Sequence, residues 1–278
     1  MVSLDIESLF TNVPVAETLD IIINQLFPAT DSIYHEFTKS DFFSLLKLAV
    51  DDSYFSFDNQ LYKQVEGMAM GSPLGPIFAN IFLSYHERSW LQACPIQPLL
   101  YRRYVDDTLW LLPPNSDLNQ LMSFMNSRHP NMHFTHELES NNSINFIGLT
   151  ITHSPETPTS HRYSTGIYRK PTFTGLFTNF HSFTCLSYRL SVIRSLTYRA
   201  LRLCSNVHIF TNTLLAIKNF LMKNSYPSYL INKIFKSTLA SLTNSSRPFG
   251  PEKEKLYIGL PYLGKNRAKI KQTFKSIF

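Results

Sequence analysis

The chain has 278 residues, of which 44% are hydrophobic, 14% aromatic and 17% charged. That length holds one large domain or two smaller ones, each with its own core. The composition excludes a disordered or fibrous chain. No run approaches the ~18 consecutive apolar residues of a membrane-spanning helix, so no membrane association is expected. The opening Met1-Val2-Ser3-Leu4-Asp5-Ile6-Glu7 places acid where a secretory signal needs base. Cys94, Cys185 and Cys204 are odd in number, far apart and without a Cys-x-x-Cys pair. They fit a reducing compartment, and neither a disulfide framework nor a zinc site. The expected location is intracellular, in the nucleus or cytoplasm.

The net charge of +6 conceals a division. Residues 1–150 carry 17 acidic and 7 basic side chains, whereas residues 151–278 carry 3 acidic and 19 basic ones. The bases of the second half lie among aromatics and helical apolar repeats, which argues for a folded region with a polyanionic partner, above all nucleic acid.

Along the chain, Val2, Leu4 and Ile6 alternate with Ser3, Asp5 and Glu7 as in a strand with one buried face. Pro14 suits the first turn of a helix, and Ala16, Leu19, Ile22, Ile23, Leu26 and Phe27 keep helical spacing up to Pro28. A second helix is predicted over 41–50, and a hairpin over 54–62 turning at Asp58-Asn59. A glycine-rich turn precedes a helix over 77–91. Residues 99–112 read as two strands meeting at Asp106-Asp107, 117–127 as a helix, and 144–151 as one strand. Residues 154–160 read as a loop, and 163–168 as a strand paired with the preceding one. From Leu186 the pattern is helical, with a last helix over 229–239 after Pro227. Mixed strands and helices followed by helices alone indicate an α+β layer joined to an all-helical basic module.

Three segments carry chemistry. Tyr104-Val105-Asp106-Asp107 sits between apolar strands, and adjacent carboxylates at a hairpin tip repel unless a cation or base neutralises them. An ordinary Asp-rich turn looks the same, and Asp51-Asp52 is read as one. Asp5, near the end of an apolar strand, supplies a further carboxylate. Two-metal phosphoryl transfer needs carboxylates from separate strands, holding cations about 3.5–4 Å apart. Mg²⁺ suits such a set because it takes hard oxygen ligands while keeping waters and substrate phosphates. Between these acidic elements, Gln64-Val65-Glu66-Gly67-Met68-Ala69-Met70-Gly71-Ser72-Pro73-Leu74-Gly75-Pro76 has the glycines for close backbone approach to a nucleotide and a proline before the helix.

These segments together resemble the reverse transcriptases. Residues 3–14, Ser-Leu-Asp-Ile-Glu-Ser-Leu-Phe-Thr-Asn-Val-Pro, look like motif A; Gly67–Pro73 looks like motif B; the Tyr-Val-Asp-Asp hairpin looks like motif C. Asn145-Phe146-Ile147-Gly148-Leu149 resembles the primer-grip strand, motif E. Ser8–Pro14, Tyr168-Arg169-Lys170-Pro171-Thr172, Arg199-Ala200 with Cys204-Ser205, Tyr226-Pro227 and Leu260-Pro261-Tyr262 are most similar to Penelope-like retroelements, relatives of the telomerase catalytic subunit.

The resemblance implies a right-hand polymerase palm, an antiparallel sheet with helices on one face, over 1–175 (core 1–151). An all-helical, basic, thumb-like and helix-turn-helix-like region would follow over 176–278. It implies an RNA-directed DNA polymerase that adds dNTPs to a primer 3′-hydroxyl on an RNA template, with two Mg²⁺ ions, or Mn²⁺ in their place. Asp5, Asp106 and Asp107 would be the catalytic, metal-binding aspartates, with the Ile6 carbonyl a further ligand. Phe10 would crowd a ribose 2′-hydroxyl, its other reading being a core phenylalanine. Gln64, Gly71, Ser72 and Pro73 would line the nucleotide, and Phe146, Ile147 and Gly148 the primer grip. Arg169, Lys170, Arg189, Arg194, Arg199 and Arg202 would follow nucleic-acid phosphates.

There are departures. Gly148 stands where Penelope-like relatives often have Asp. Gly166-Ile167-Tyr168 and Tyr257-Ile258-Gly259 spell the two halves of a GIY-YIG nuclease signature, but they are far apart and each belongs to another matched motif, so no nuclease is expected. The chain starts inside the motif A strand, without the fingers that hold the incoming triphosphate, and is expected to be inactive or nearly so in isolation. Two other readings stay open: a non-catalytic nucleic-acid-binding remnant of a retroelement, and an RNA-dependent RNA polymerase. Phe10 and the motif E strand argue against the latter.

Overall fold

The computed structural model describes residues 1–27, 38–51, 53–154 and 163–243. Most of the expected loop at 154–160, and the matches at 257–259 and 260–262, lie outside these residues. The chain divides into two units, residues 1–147 and 148–278.

Four strands, β1 (Val2–Ile6), β4 (Leu100–Tyr104), β5 (Asp107–Leu111) and β6 (Phe134–Leu138), form the main sheet of the first unit. Their order across it is β4-β5-β1-β6. Both neighbours of β1 run antiparallel to it. Alternation along β1 sends Val2, Leu4 and Ile6 to one face, where they are almost fully buried. Trp110 and Thr108 of β5 face the same way, opposite Val2 and Leu4, and Phe134 of β6 does so opposite Ile6. Two helices supply Ala79, Phe82, Leu83 and Trp90 (α4, Gly75–Ala93) and Leu121 and Met125 (α5, Leu118–Asn126) to this core. Each fully buried side chain of this size contributes roughly 1.5–3 kcal/mol. The Trp110 indole N–H donates to Thr108 Oγ1 at 2.8 Å, and that hydroxyl donates to the Leu4 carbonyl at 2.9 Å, so the buried polar groups are satisfied.

Three more helices and a hairpin belong to this unit. A single turn, α1 (Leu9–Asn12), separates β1 from α2 (Val15–Leu26), which is capped by Pro14 with Glu17 in its first turn. Helix α3 (Lys39–Asp51) opens on a reciprocal pair: Asp41 N–H donates to Thr38 Oγ1, and Thr38 N–H donates to Asp41 Oδ2. The hairpin β2 (Tyr54–Phe57) and β3 (Gln60–Lys63) turns at Asp58 and Asn59, both at positive φ, as their sequence predicts. Asp117 caps α5 by accepting from the backbone N–H groups of Asn119 and Gln120.

The structure corrects the sequence reading in two places here. The hairpin carrying the paired aspartates turns one residue early, at Val105-Asp106, and Asp107 is the first residue of β5, paired with Tyr104. The strand expected over 144–151 is two strands, β7 (Ser143–Phe146) and β8 (Leu149–His153), because Ile147 and Gly148 take positive φ and turn the chain.

The second unit pairs β8 with β9 (Tyr163–Ile167) in an antiparallel hairpin, as expected, and then continues as three helices, α6 (Leu186–Leu203), α7 (Val207–Lys223) and α8 (Ser228–Thr243). Ile193, Ala200, Ile217, Leu221, Tyr226 and Ile231 form its core. Asn224, buried at the end of α7, accepts Phe177 N–H on its side chain and Phe180 N–H on its backbone, and its amide donates to the Gly175 and Phe220 carbonyls. No helix among the described residues is long and apolar enough to cross a membrane.

Candidate active site

Asp5 lies on the face of β1 opposite the core and is exposed. Its Cα partner across the ladder is Asp107, which therefore shares that face. The β1–β5 pairing continues into the turn, where Ile6 N–H donates to the Asp106 carbonyl at 3.3 Å. Carboxylates from positions 5, 106 and 107 thus converge at one end of the sheet, with Glu7 near them. Burial raises the Asp5 pKa above the ordinary carboxylate range, and repulsion from Asp106, Asp107 and Glu7 adds to it. A divalent cation relieves that repulsion, so the donor set suits one.

Among the described residues, no group of three or more His, Cys, Asp and Glu side chains forms a ready-made metal cage. The arrangement is instead carboxylates gathered at one end of the sheet, with Asp5 exposed and Asp106 and Asp107 partly so. That favours an ion which fills its shell with water and substrate phosphate, the habit of Mg²⁺. The residues present therefore fit the group that the fold implies.

The glycine-rich segment is clamped to α1, the turn that follows β1. Met68 N–H donates to the Phe10 carbonyl at 2.7 Å. A Cβ on Gly67, at φ 69°, would fall 2.2 Å from the Thr11 carbonyl oxygen, so only glycine permits this approach. A Cβ on Gly75 would lie 3.6 Å from the Phe10 ring, which places that partly buried ring beside the start of α4. The following residues are held by short turns: Ser72 N–H donates to the Ala69 carbonyl, Gly75 N–H to the Ser72 carbonyl, and Leu74 N–H to Ser72 Oγ. Gly71, at φ 92°, and Pro73 are exposed. The Gln64 side chain donates to the Glu66 carbonyl at 2.8 Å, tying down its own loop.

Of the residues predicted from sequence, Asp5, Ile6, Asp106 and Asp107 are thus gathered at one sheet end, and Phe10 is joined to the glycine-rich segment. Phe146 is buried at the end of β7, Ile147 is exposed in the turn, and Gly148 opens the second unit with its carbonyl accepting Tyr168 N–H. The basic residues belong to that second unit, whose described part holds Arg169, Lys170, Arg189, Arg194, Arg199, Arg202, Lys218, Lys223, Lys233 and Lys236, and no Asp or Glu.

They differ in what they do. Arg189 is built into the fold: it donates to the Phe180 carbonyl and lies over the Phe180 ring, with its Nε buried. Arg202 bonds Tyr198 on its own helix. Arg169 lies 4.7 Å above both Phe173 and Phe220, and a Cβ added to Gly148 would lie 3.0 Å from Arg199 Nη2. Burial, and then the charge of Arg199, lower the Arg169 pKa.

Sequence reasoning missed two polar clusters in the first unit. His86 and His129 both bond the Glu17 carboxylate, at 2.8 and 3.1 Å, joining α2, α4 and the loop after α5. Arg103 and Tyr101 of β4 both donate to Glu87 of α4. Asn80, Ser84 and Glu87 recur at helical spacing, a polar stripe that could have signalled this contact.

Comparison with known proteins agrees with this geometry. The profile of the reverse transcriptase (RNA-dependent DNA polymerase) family matches residues 1–139, and that of the animal helix-turn-helix domain matches residues 176–236. Among solved structures, telomerase from Candida albicans in complex with a TWJ fragment of telomeric RNA is similar at 16% identity and TM-score 0.53, over 88% of this chain and 40% of that one. The Sicinivirus 3Dpol RNA-dependent RNA polymerase is similar at 16% identity and TM-score 0.51, over 86% of this chain and 51% of that one. At these identities the likeness is one of fold, and the chain spans about half or less of the length of these structures. A search of curated protein sequences gives no match. The antiparallel sheet with Asp5 beside the Tyr-Val-Asp-Asp turn, lying within a family match that covers half of the sequence, places the chain in the reverse transcriptase family.

Proposed function

We propose that the first unit is the catalytic palm of a retroelement reverse transcriptase of the Penelope-like kind, adding dNTPs to a primer 3′-hydroxyl on an RNA template within the nucleus or cytoplasm. The single observation that carries this reading is the pairing of Asp5 with Asp107 beside Asp106. Asp5, Asp106 and the Ile6 carbonyl would hold two Mg²⁺ ions, with Asp107 a less direct ligand. Such ions lower the charge on the attacking and leaving oxygens of an in-line displacement.

The chain's own contribution is placement. Phe10, beside Gly75, would stand against the sugar 2′ position and exclude ribonucleotides. Gly71, Ser72 and Pro73 would border the nucleotide, with Gln64 shaping the loop before them. The turn at Ile147 and Gly148, after Phe146, would steady the primer. The basic unit, whose described residues include no Asp or Glu, would follow the phosphates of the primer–template duplex, binding it without reading sequence. The Penelope-like assignment rests on Ser8–Pro14 and Tyr168–Thr172.

The test is primer extension on an RNA template with Mg²⁺, by the chain alone and by the chain joined to the fingers of a related reverse transcriptase. Asp106→Asn should abolish dNTP incorporation while duplex binding persists. Undiminished incorporation by Asp106→Asn would remove that residue from the site. Preference for rNTPs would point to an RNA polymerase, and duplex binding with no incorporation by the joined chain would point to a non-catalytic remnant.

A further inference from the structure

Asn80, Ser84 and Glu87 form one polar stripe along α4, whose other face is buried in the core. Tyr101 and Arg103, two residues apart on β4, share one face of the sheet, and their Cα partners Trp110 and Thr108 are buried beneath the helices. The two rows meet at Arg103, whose side chain is 9% exposed. Its Nε donates to Glu87 Oε1 at 2.9 Å; its Nη2 donates to Asn80 Oδ1 at 3.2 Å and to Ser84 Oγ at 3.1 Å. Its Nη1 donates to the Val105 carbonyl at 3.1 Å. Tyr101 Oη shares the same Glu87 oxygen. One planar guanidinium therefore fastens a helix to the backbone of the turn that carries Asp106, a task that a single ammonium cannot reproduce.

The turn needs fastening. Val105 is β-branched yet sits at φ 57°, a backbone conformation such residues rarely adopt and hold only when their surroundings impose it. Arg103 approaches from the helix side of the sheet, whereas Asp5 and Asp107 share the opposite side. It acts on the carboxylates through the turn's backbone.

We propose that Arg103 is a positioning residue: by holding the Val105 carbonyl it fixes the turn in the orientation that brings Asp106 alongside Asp5. The inference rests on the metal-binding reading above, and it makes a distinctive demand. If Arg103 acted only as a charge, its removal would strengthen cation binding, since a nearby positive charge repels a metal ion. If it positions the turn, its removal weakens cation binding in spite of that gain.

The experiment titrates Mn²⁺ into the full chain by electron paramagnetic resonance and follows amide hydrogen exchange at residues 104–108 in the metal-free protein. Arg103→Lys and Arg103→Gln should each weaken Mn²⁺ binding by about tenfold, the scale of supports behind a metal ligand, and should speed exchange in the turn. Exchange in the second unit should not change. Ser84→Ala, which removes one bond to Arg103 without touching the turn, should shift both readouts in the same direction by less. It carries the test should the far-UV spectrum show either Arg103 variant unfolded. Mn²⁺ binding by Arg103→Gln as tight as or tighter than the unsubstituted chain's, or unchanged exchange in the turn, overturns the proposal. Mn²⁺ binding that is indifferent to both Asp5→Asn and Asp106→Asn would instead overturn the metal-site reading, and the exchange arm would still judge the hold of Arg103 on the turn.

Discussion

Asp5 and Asp107 are direct partners across the β1–β5 ladder, so carboxylates remote from each other in the sequence share one face of the sheet. Like charges placed this way repel, and partial burial together with Asp106, Asp107 and Glu7 raises the Asp5 pKa. A carboxyl whose pKa is raised on folding favours the folded state below its unfolded value, and loses that advantage as pH climbs through the raised one. In metal-free protein at pH 7, Asp5→Asn should therefore be slightly more stable than the unsubstituted chain, by less than about 1 kcal/mol for so exposed a group. Urea unfolding with and without chelator checks this. A destabilised Asn variant would mean that the repulsion is not felt.

Glu17 shows the reverse sign. Burial would raise its pKa, but hydrogen bonds from His129 and His86 outweigh burial and hold it below the ordinary carboxylate value. Stability from a lowered carboxyl is present above its unfolded pKa and lost as pH falls through the folded one. Glu17→Gln should flatten the acid limb of the stability–pH curve and cost about 1 kcal/mol or less near neutrality, because solvent screens a carboxylate this exposed. Thermal melts across the acid range measure both effects.

Gly67 and Gly71 both take positive φ, but only Gly67 lies against backbone, with the Thr11 carbonyl oxygen 2.2 Å from where an added methyl would sit. Gly67→Ala should cost more than about 3 kcal/mol and separate the glycine-rich segment from α1, since neither neighbour can yield. Gly71→Ala meets open space and should cost about 1 kcal/mol. Chemical denaturation of the two variants side by side tests the contrast.

In the second unit, Asn224 satisfies groups on Gly175, Phe177 and Phe220 at once. Asn224→Ala should destabilise the unit by about 2–4 kcal/mol by leaving buried backbone groups unpaired. Arg189→Gln should also destabilise it, because Arg189 bonds the Phe180 carbonyl. Arg199→Gln should spare the fold and instead reduce the slope of log affinity for duplex against log salt by about one. Binding titrations at several salt concentrations separate the two arginines.

How far these features are legible in sequence depends on range. Local signals are enough for the Asp58-Asn59 hairpin, the helix that begins near Asp117 and the β1 alternation. Strand β6 escapes notice because, of its five residues, only Phe134 is buried, and an edge strand of mostly exposed polar residues shows no alternation. The break between β7 and β8 is hidden by an apolar run, since Ile147 in a left-handed conformation contradicts its own preference. The same holds for Val105, which is why sequence alone puts the turn one residue late. The converging aspartates are legible through the family resemblance of their motifs. The Arg103 and Glu17 clusters are not, because each joins elements whose proximity only the packed core decides.

Whether Asp5 and Asp106 share a metal ion, on which the proposed chemistry turns, is tested most directly by anomalous diffraction from crystals of the chain grown with Mn²⁺ and a dNTP. A peak is expected within about 2.1 Å of carboxylate oxygens from both residues, the bond length of small hard cations. A peak bound elsewhere, or one touching the Tyr-Val-Asp-Asp turn but not Asp5, would contradict it.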